Sequence, residues 1–92
     1  MSTQEPKLEE LLEYPANFTF RVVADHHDGL HTLCVQTVEE FLGRPCIQSE
    51  LKPSKKGTFS SVRITTVVLT ADEIRGTYAL IKERVSGIRM LL

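Results

Sequence analysis

An α+β sandwich built on a four-stranded antiparallel sheet is the architecture this chain predicts, and two observations predict it. Apolar residues alternate with a two-residue period in some stretches and recur at helical spacing in others, in the order strand, helix, strand, strand, helix, strand. Once those stretches are assigned, few of the 92 residues are left over. The pattern is that of the ferredoxin-like βαββαβ sandwich. Right-handed crossovers place both helices on one face of the sheet and give the spatial strand order 4-1-3-2.

Residues 1–15 form an arm ahead of a single domain over residues 16–92. Residues 1–5 form a polar tail after the initial Met1, and Leu8, Leu11 and Leu12 then fall at i, i+3 and i+4, which predicts about two helical turns closed by Pro15. The first strand is expected over residues 18–23, where Phe18, Phe20 and Val22 alternate with Thr19, Arg21 and Val23. Asp25-His26-His27-Asp28-Gly29 reads as a loop, with Asp28 fitting the N-cap of a helix that buries Leu30, Leu33, Cys34, Val38, Phe41 and Leu42. Gly43 and Pro45 stop that helix. A second strand follows over residues 46–51, a hairpin loop over 52–57 carrying Pro53 and Gly57, and a long third strand over 58–69. Thr70-Ala71-Asp72-Glu73 is a capping-box sequence, in which each end side chain accepts from the other's amide. The helix it starts buries Ile74, Thr77, Tyr78, Ile81 and Val85, with Gly76 as a weak point worth about 1 kcal/mol relative to Ala. Gly87 is expected as its left-handed terminator, and residues 88–92 as the fourth strand.

Composition narrows the function classes. Hydrophobic content of 41% and charged content of 25% are ordinary for a globular domain, and no apolar run approaches the roughly 20 residues of a bilayer crossing. The acidic start (Glu5, Glu9, Glu10, Glu13) does not resemble a signal peptide, so a cytoplasmic location without membrane attachment is expected. Cys34 and Cys46 lack the spacing of a metal or redox motif and read as free thiols. A net charge of −1 disfavours nucleic acid as a partner, although residues 52–63 carry four bases and no acid. A chain this short would gain from oligomerisation.

Three segments carry a family resemblance. Leu11-Leu12-Glu13-Tyr14-Pro15 ahead of Phe18-Thr19-Phe20, Lys52-Pro53-Ser54-Lys55-Lys56-Gly57 ahead of Ser61-Val62, and Ile88-Arg89-Met90-Leu91-Leu92 resemble the YbeD-like family of small uncharacterised bacterial proteins, in order and across nearly the whole chain. The resemblance implies a ferredoxin-like fold similar to the ACT-type regulatory domains of amino-acid enzymes, with no established activity. The ACT-type loop is similar to Asp-x-Pro-Gly-x-Leu. Here the stretch Asp25-His26-His27-Asp28-Gly29-Leu30 has one more residue between Asp and Gly and lacks the proline.

Candidate chemistry lies in two places. The first is the Asp25, His26, His27, Asp28, Gly29, Leu30 loop, where helix-start amides could hold an amino acid or small anion, opposed by the two aspartates. His27 and His31 are four apart, but His27 precedes the helix, so no metal site is assigned. The second is the sheet face away from the helices. If Phe18, Phe20, Val22, Val62, Ile64, Ile88 and Met90 face the helices, alternation sends Arg21, Val23, Phe59, Arg63, Thr65, Val67, Arg89 and Leu91 to the other side. Arg21, Arg63 and Arg89 among Phe59, Val67 and Leu91 compose a contact face. RNA recognition on that face would need aromatic platforms on the central strands, and only Phe59 is available. Ser54, Ser60 and Ser61 have no base at a catalytic spacing, so neither enzyme activity nor a cofactor is expected. The sequence therefore favours a regulatory or adaptor module that binds another protein, with a small-molecule sensor as the alternative and an RNA-binding module third.

Overall fold

In a computed structural model, residues 12–91 are described, and their elements follow the expected order. They are β1 (Ala16–Asp25), α1 (Leu30–Leu42), β2 (Gln48–Pro53), β3 (Phe59–Val68), α2 (Ala71–Arg84) and β4 (Ile88–Leu91). All neighbouring strands pair antiparallel in the order β2-β3-β1-β4, which is the expected 4-1-3-2 read from the other edge. The helical part of the predicted arm lies outside the described residues, except that Leu12 is in no helix and packs with Tyr14 against the core.

β1 reaches further than its sequence pattern, while β3 begins one residue later and ends one earlier than expected. β1 and β3 stay in register from Ala16↔Val68 to Asp25↔Phe59, because Ala24 continues the buried set and Asp25 still pairs. β2 starts two residues later than predicted and absorbs Lys52 and Pro53, which lie opposite Ser61 and Ser60. A proline is tolerated there because β2 is an edge strand, where one side of the backbone has no ladder to join. The hairpin loop shrinks accordingly. Ser54 closes it by donating its amide to the Phe59 carbonyl at 2.8 Å and accepting from Gly57 N–H at 3.0 Å.

The core lies between the helices and one sheet face: Phe20, Val22, Val62, Ile64, Leu30, Val38, Ile74 and Ile81 are all at most 1% exposed. Leu33, expected among them, sits half-buried at the edge of the cluster. Tyr78 is also half-buried and meets Phe20 edge-on, with ring centroids 5.2 Å apart. Thr37 and Thr77 are fully buried yet satisfied, since their hydroxyls donate one turn back to the Leu33 and Glu73 carbonyls. The Cys34 thiol is buried, and desolvation pushes its pKa up to about 11, so it is not a nucleophile at neutral pH.

Helix ends correct the sequence reading at three points. Asp28 is not the N-cap of α1. Gly29 takes that position with φ 87°, a left-handed conformation that an aspartate adopts less readily, and its carbonyl accepts from Leu33 N–H. At α2, Thr70 Oγ1 accepts from Glu73 N–H as expected, but the Glu73 carboxylate reaches past Thr70 to the Leu69 amide at 2.7 Å. It does so because Arg44, just beyond α1, holds both carboxylate oxygens at 3.0 and 2.9 Å while also donating to the Val67 carbonyl. Gly87 does not terminate α2. Val85 caps that helix in an extended conformation, and Gly87 turns the chain into β4.

Gly76 is also more than a weak point. A Cβ built there would lie 2.2 Å from the Phe41 ring, so the missing side chain lets α1 and α2 approach. Gly→Ala inside a helix ordinarily gains about 1 kcal/mol. Gly76→Ala is expected to forgo that gain, because the ring must swing outward, and to recover it in a Phe41→Ala background. Denaturant midpoints for the four proteins of that cycle decide it, and strict additivity would mean the two residues do not meet.

The Arg44 hydrogen bonds lower the Glu73 carboxyl below its ordinary 4.5, the Leu69 amide contributing further. A depressed folded pKa adds stability above the unfolded value and loses it as pH falls through the folded value. Stability should therefore decline on acidification below about pH 4.5. Glu73→Gln should flatten that decline and cost about 1–3 kcal/mol at neutral pH, as read from urea midpoints across the pH range.

Candidate functional site

The sheet face turned away from the core is covered by no described helix. Its residues come from the positions that alternate with the core set. Thr19, Arg21 and Val23 lie on β1, Phe59, Ser61, Arg63, Thr65 and Val67 on β3, and Gln48, Glu50 and Lys52 on β2. The register sets Arg21 directly opposite Arg63, Arg63 opposite Glu50, and Lys52 opposite Ser61. Arg21, Glu50, Lys52, Ser61 and Arg63 line a cavity of about 250 Å³. Three cations thus converge on one carboxylate, and the nearest ion pair, Arg63 to Glu50, is loose at 4.0 Å with both side chains about half exposed. Arg21 Nε and Ser61 Oγ are shielded from solvent and have no hydrogen-bond partner among the described residues.

The other end of the face is already neutralised. Arg89 Nε donates to Asp25 Oδ1 at 2.8 Å, and the guanidinium carbon lies 4.8 Å from the centre of the Phe59 ring. Sequence alternation groups Arg21, Arg63 and Arg89 together. The structure joins the first two to Lys52 and gives Arg89 a separate acid and ring.

β4 also reverses two assignments. Ile88 pairs with Ala24, Met90 with Val23 and Leu91 with Val22, so Arg89 is the extra residue of a bulge. Past a bulge the alternation changes phase. Leu91, expected on the open face, packs against the core beside Val22, while Met90, expected inward, is 50% exposed opposite Val23. Val67 stays on the open face, half-buried at the far end of β3 from Phe59.

The loop after β1 uses its polar groups locally. Asp25 holds Arg89, His26 Nδ1 lies 2.7 Å from Ser60 Oγ, and His27 Nδ1 donates to the Asp28 carbonyl at 2.8 Å. Leu30 N–H donates to the His27 carbonyl, so the first helical turn keeps one amide for itself, and the Leu30 side chain is fully buried. His31 is turned away from this loop, with Nε2 3.0 Å from Ser49 Oγ on β2. Among the described residues no three His, Cys, Asp or Glu side chains converge as a metal site, and no helix is long and apolar enough to cross a membrane. Sequence reasoning missed Lys52, Ser61 and Glu50 as site residues. The signal was present, because extending the hairpin through Lys52-Pro53 puts Lys52 across from Ser61 and Glu50 across from Arg63.

The fold defines a small α+β domain of the split βαβ type with a partly cationic open face. A family model described as "Protein of unknown function (DUF493)" matches residues 9–92. The chain belongs to that family, the YbeD-like group that its three sequence segments resemble. It is 34% identical over 86 residues to a UPF0250 protein of Haemophilus influenzae, covering 94% of this chain and 91% of the relative. A UPF0250 protein of Shewanella piezotolerans is also 34% identical, over 88 residues that span 96% of this chain and 98% of that one. The solution structure of HP0495 from H. pylori is similar in fold, with a TM-score of 0.68 and 22% identity over 99% of this chain and 98% of that one.

The bulge in β4 has a direct test. Met90→Lys is expected to change the unfolding free energy by no more than about 0.5 kcal/mol, as exposed substitutions do. Leu91→Lys should cost several times that, because it carries an ammonium toward the core. Equal effects in denaturant melts would mean that β4 alternates without a bulge.

Proposed function

We propose that this domain acts without catalysis, as a regulatory or adaptor module whose open sheet face docks an acidic patch on a partner protein. The observation that carries the reading is the Arg21–Arg63 pair with Lys52 beside it. Like charges directly opposite in a sheet are unfavourable, and Glu50 offsets them only loosely at 4.0 Å. An acidic partner surface relieves that repulsion. Val23 and Val67, half-buried, and Met90, 50% exposed, supply the apolar contact that charge alone lacks.

Two competing readings have weaker support. A small-molecule sensor at residues 25–30 would need polar groups free to meet a ligand, and those of Asp25, His26 and His27 are engaged within the protein. An RNA module would need an open aromatic platform. The Phe59 ring already lies beneath the Arg89 guanidinium.

Affinity capture of the tagged protein, with bound proteins identified, supplies the partner for the test. Arg21→Glu with Arg63→Glu should leave the fold intact while reducing capture strongly, and the wild-type complex should weaken with rising salt, chiefly through slower association. A partner held as tightly by the double variant as by wild type, across that salt range, would move the docking surface elsewhere.

A further inference from the structure

We infer that the cavity between Arg21, Lys52, Ser61 and Arg63 seats a phosphate monoester group. The inference deepens the docking reading by naming the chemical group received there, and it rests on that reading only for the surface involved. Three observations converge on it.

The first is charge. Among the described residues, Arg21, Lys52 and Arg63 face the single carboxylate of Glu50, leaving an excess of two positive charges around one cavity. A carboxylate would cancel one of them, whereas a phosphate monoester carries about −1.5 to −2 near pH 7. The second is hydrogen bonding. Arg21 Nε and Ser61 Oγ belong to residues that line the cavity and are sheltered from solvent without a hydrogen-bond partner among the described residues, a costly state for a donor that a turn of either side chain toward a bound anionic oxygen relieves. Two guanidinium groups and a hydroxyl match a tetrahedral oxyanion with several acceptor oxygens, since arginine binds phosphate through paired N–H groups. The third is room. A water takes about 30 Å³ of liquid, so 250 Å³ accommodates a phosphate together with the group that carries it.

Arg89 does not contribute, being engaged by Asp25 and Phe59. Glu50 opposes the anion, and its pairing with Arg63 must loosen as the anion enters, which the 4.0 Å separation already favours. The group has two sources with the same chemistry, a free phosphate compound or a phosphorylated side chain of the partner.

The test is a backbone-amide NMR titration of the full chain with inorganic phosphate, at about pH 7.5, where the dianion dominates, and at ionic strength held constant with chloride. Saturating shifts centred on Arg21, Lys52, Ser61 and Arg63, absent with chloride and weak with acetate, are expected. Arg21→Gln and Arg63→Gln should each weaken phosphate binding about tenfold, the loss of a charge-assisted hydrogen bond. Ser61→Ala should weaken it less without altering any charge, and Glu50→Gln should tighten it. Spectral dispersion equal to wild type verifies that each variant is folded. Shifts that never saturate, that chloride reproduces, or that survive Arg21→Gln unchanged would overturn the seat. Adding phosphate to the captured complex identifies the source: displacement of the partner means that the partner bears the group, and simultaneous binding means a free phosphate compound. If phosphate fails to bind while capture still depends on Arg21 and Arg63, the seat is wrong and the docking reading stands. If phosphate binds while capture ignores those arginines, the reverse holds.

Discussion

The in-register pairing of β1 with β3 is the constraint on which both surfaces of the sheet depend. Phe20 lies opposite Ile64 and Val22 opposite Val62, and all four side chains are fully buried. A slip by one residue would turn that whole set to solvent. Burying one such side chain is worth about 1.5–3 kcal/mol, whereas a like-charged cross-strand pair costs at most about 1 kcal/mol. Core packing therefore wins, and the position between Phe20 and Val22 is forced opposite the position between Val62 and Ile64. Those positions hold Arg21 and Arg63. Their adjacency follows from the packing of the opposite face, and the electrostatic cost is left for something else to offset.

The helices are placed by two contacts that do not touch the open face. Arg44 joins the segment after α1 to the carbonyl of Val67 at the end of β3 and to Glu73 in the first turn of α2. With the Leu69 amide also bonded to Glu73, the segments following β3 and α1 meet the start of α2 at one carboxylate. Both partners are about three-quarters shielded, so this pair is screened less than an exposed one, and its paired geometry adds direction to the attraction. The Gly76–Phe41 contact sets how closely the helices lie, so a position that costs helix propensity is returned as packing. The covered face is thereby stabilised independently of the open one. Arg21, Lys52 and Arg63 lie outside the core, so substitutions there are expected to leave it undisturbed.

Much of this was legible in the sequence, and the failures have physical causes. Period-two alternation reads a strand's phase only while the strand stays regular, so Phe20, Val22, Val62 and Ile64 were placed correctly and Leu91 was not. The bulge at Arg89 adds one residue with no composition signal of its own. Pro53 read as loop because proline usually breaks a ladder, yet on an edge strand that objection fails, and Lys52 passed with it from loop to sheet. Asp28 alone was expected to cap α1, and the left-handed backbone at that position gave the cap to the adjacent Gly29. Glu73 was recognised as a capping residue, but its partner Arg44 lies 29 positions earlier, a separation that no local pattern encodes. The chemistry of the open face was foreseen as three arginines. Its actual grouping depends on which cation has a nearby acid, and Asp25 claims Arg89.

That last distinction decides which end of the face can attract a partner. The chain as a whole carries a net charge of −1, which taken alone predicts no attraction for an anionic surface. Charges are screened over about 8 Å at physiological salt, so an approaching partner responds to the few groups nearest it and not to the total. At one end it meets Arg89 already matched by Asp25; at the other it meets Arg21, Lys52 and Arg63 against Glu50 alone. The face is therefore uneven: its cations gather on β2, β3 and β1, and its neutralised charge lies on β4 beside Phe59 and Asp25. On the docking reading proposed above, a partner presents its anionic group to Lys52, Arg63 and Arg21 and its apolar contact to Val23 and Met90. On that reading the uneven placement of the cations specifies orientation as well as attraction, which a symmetric arrangement of the three arginines would not do.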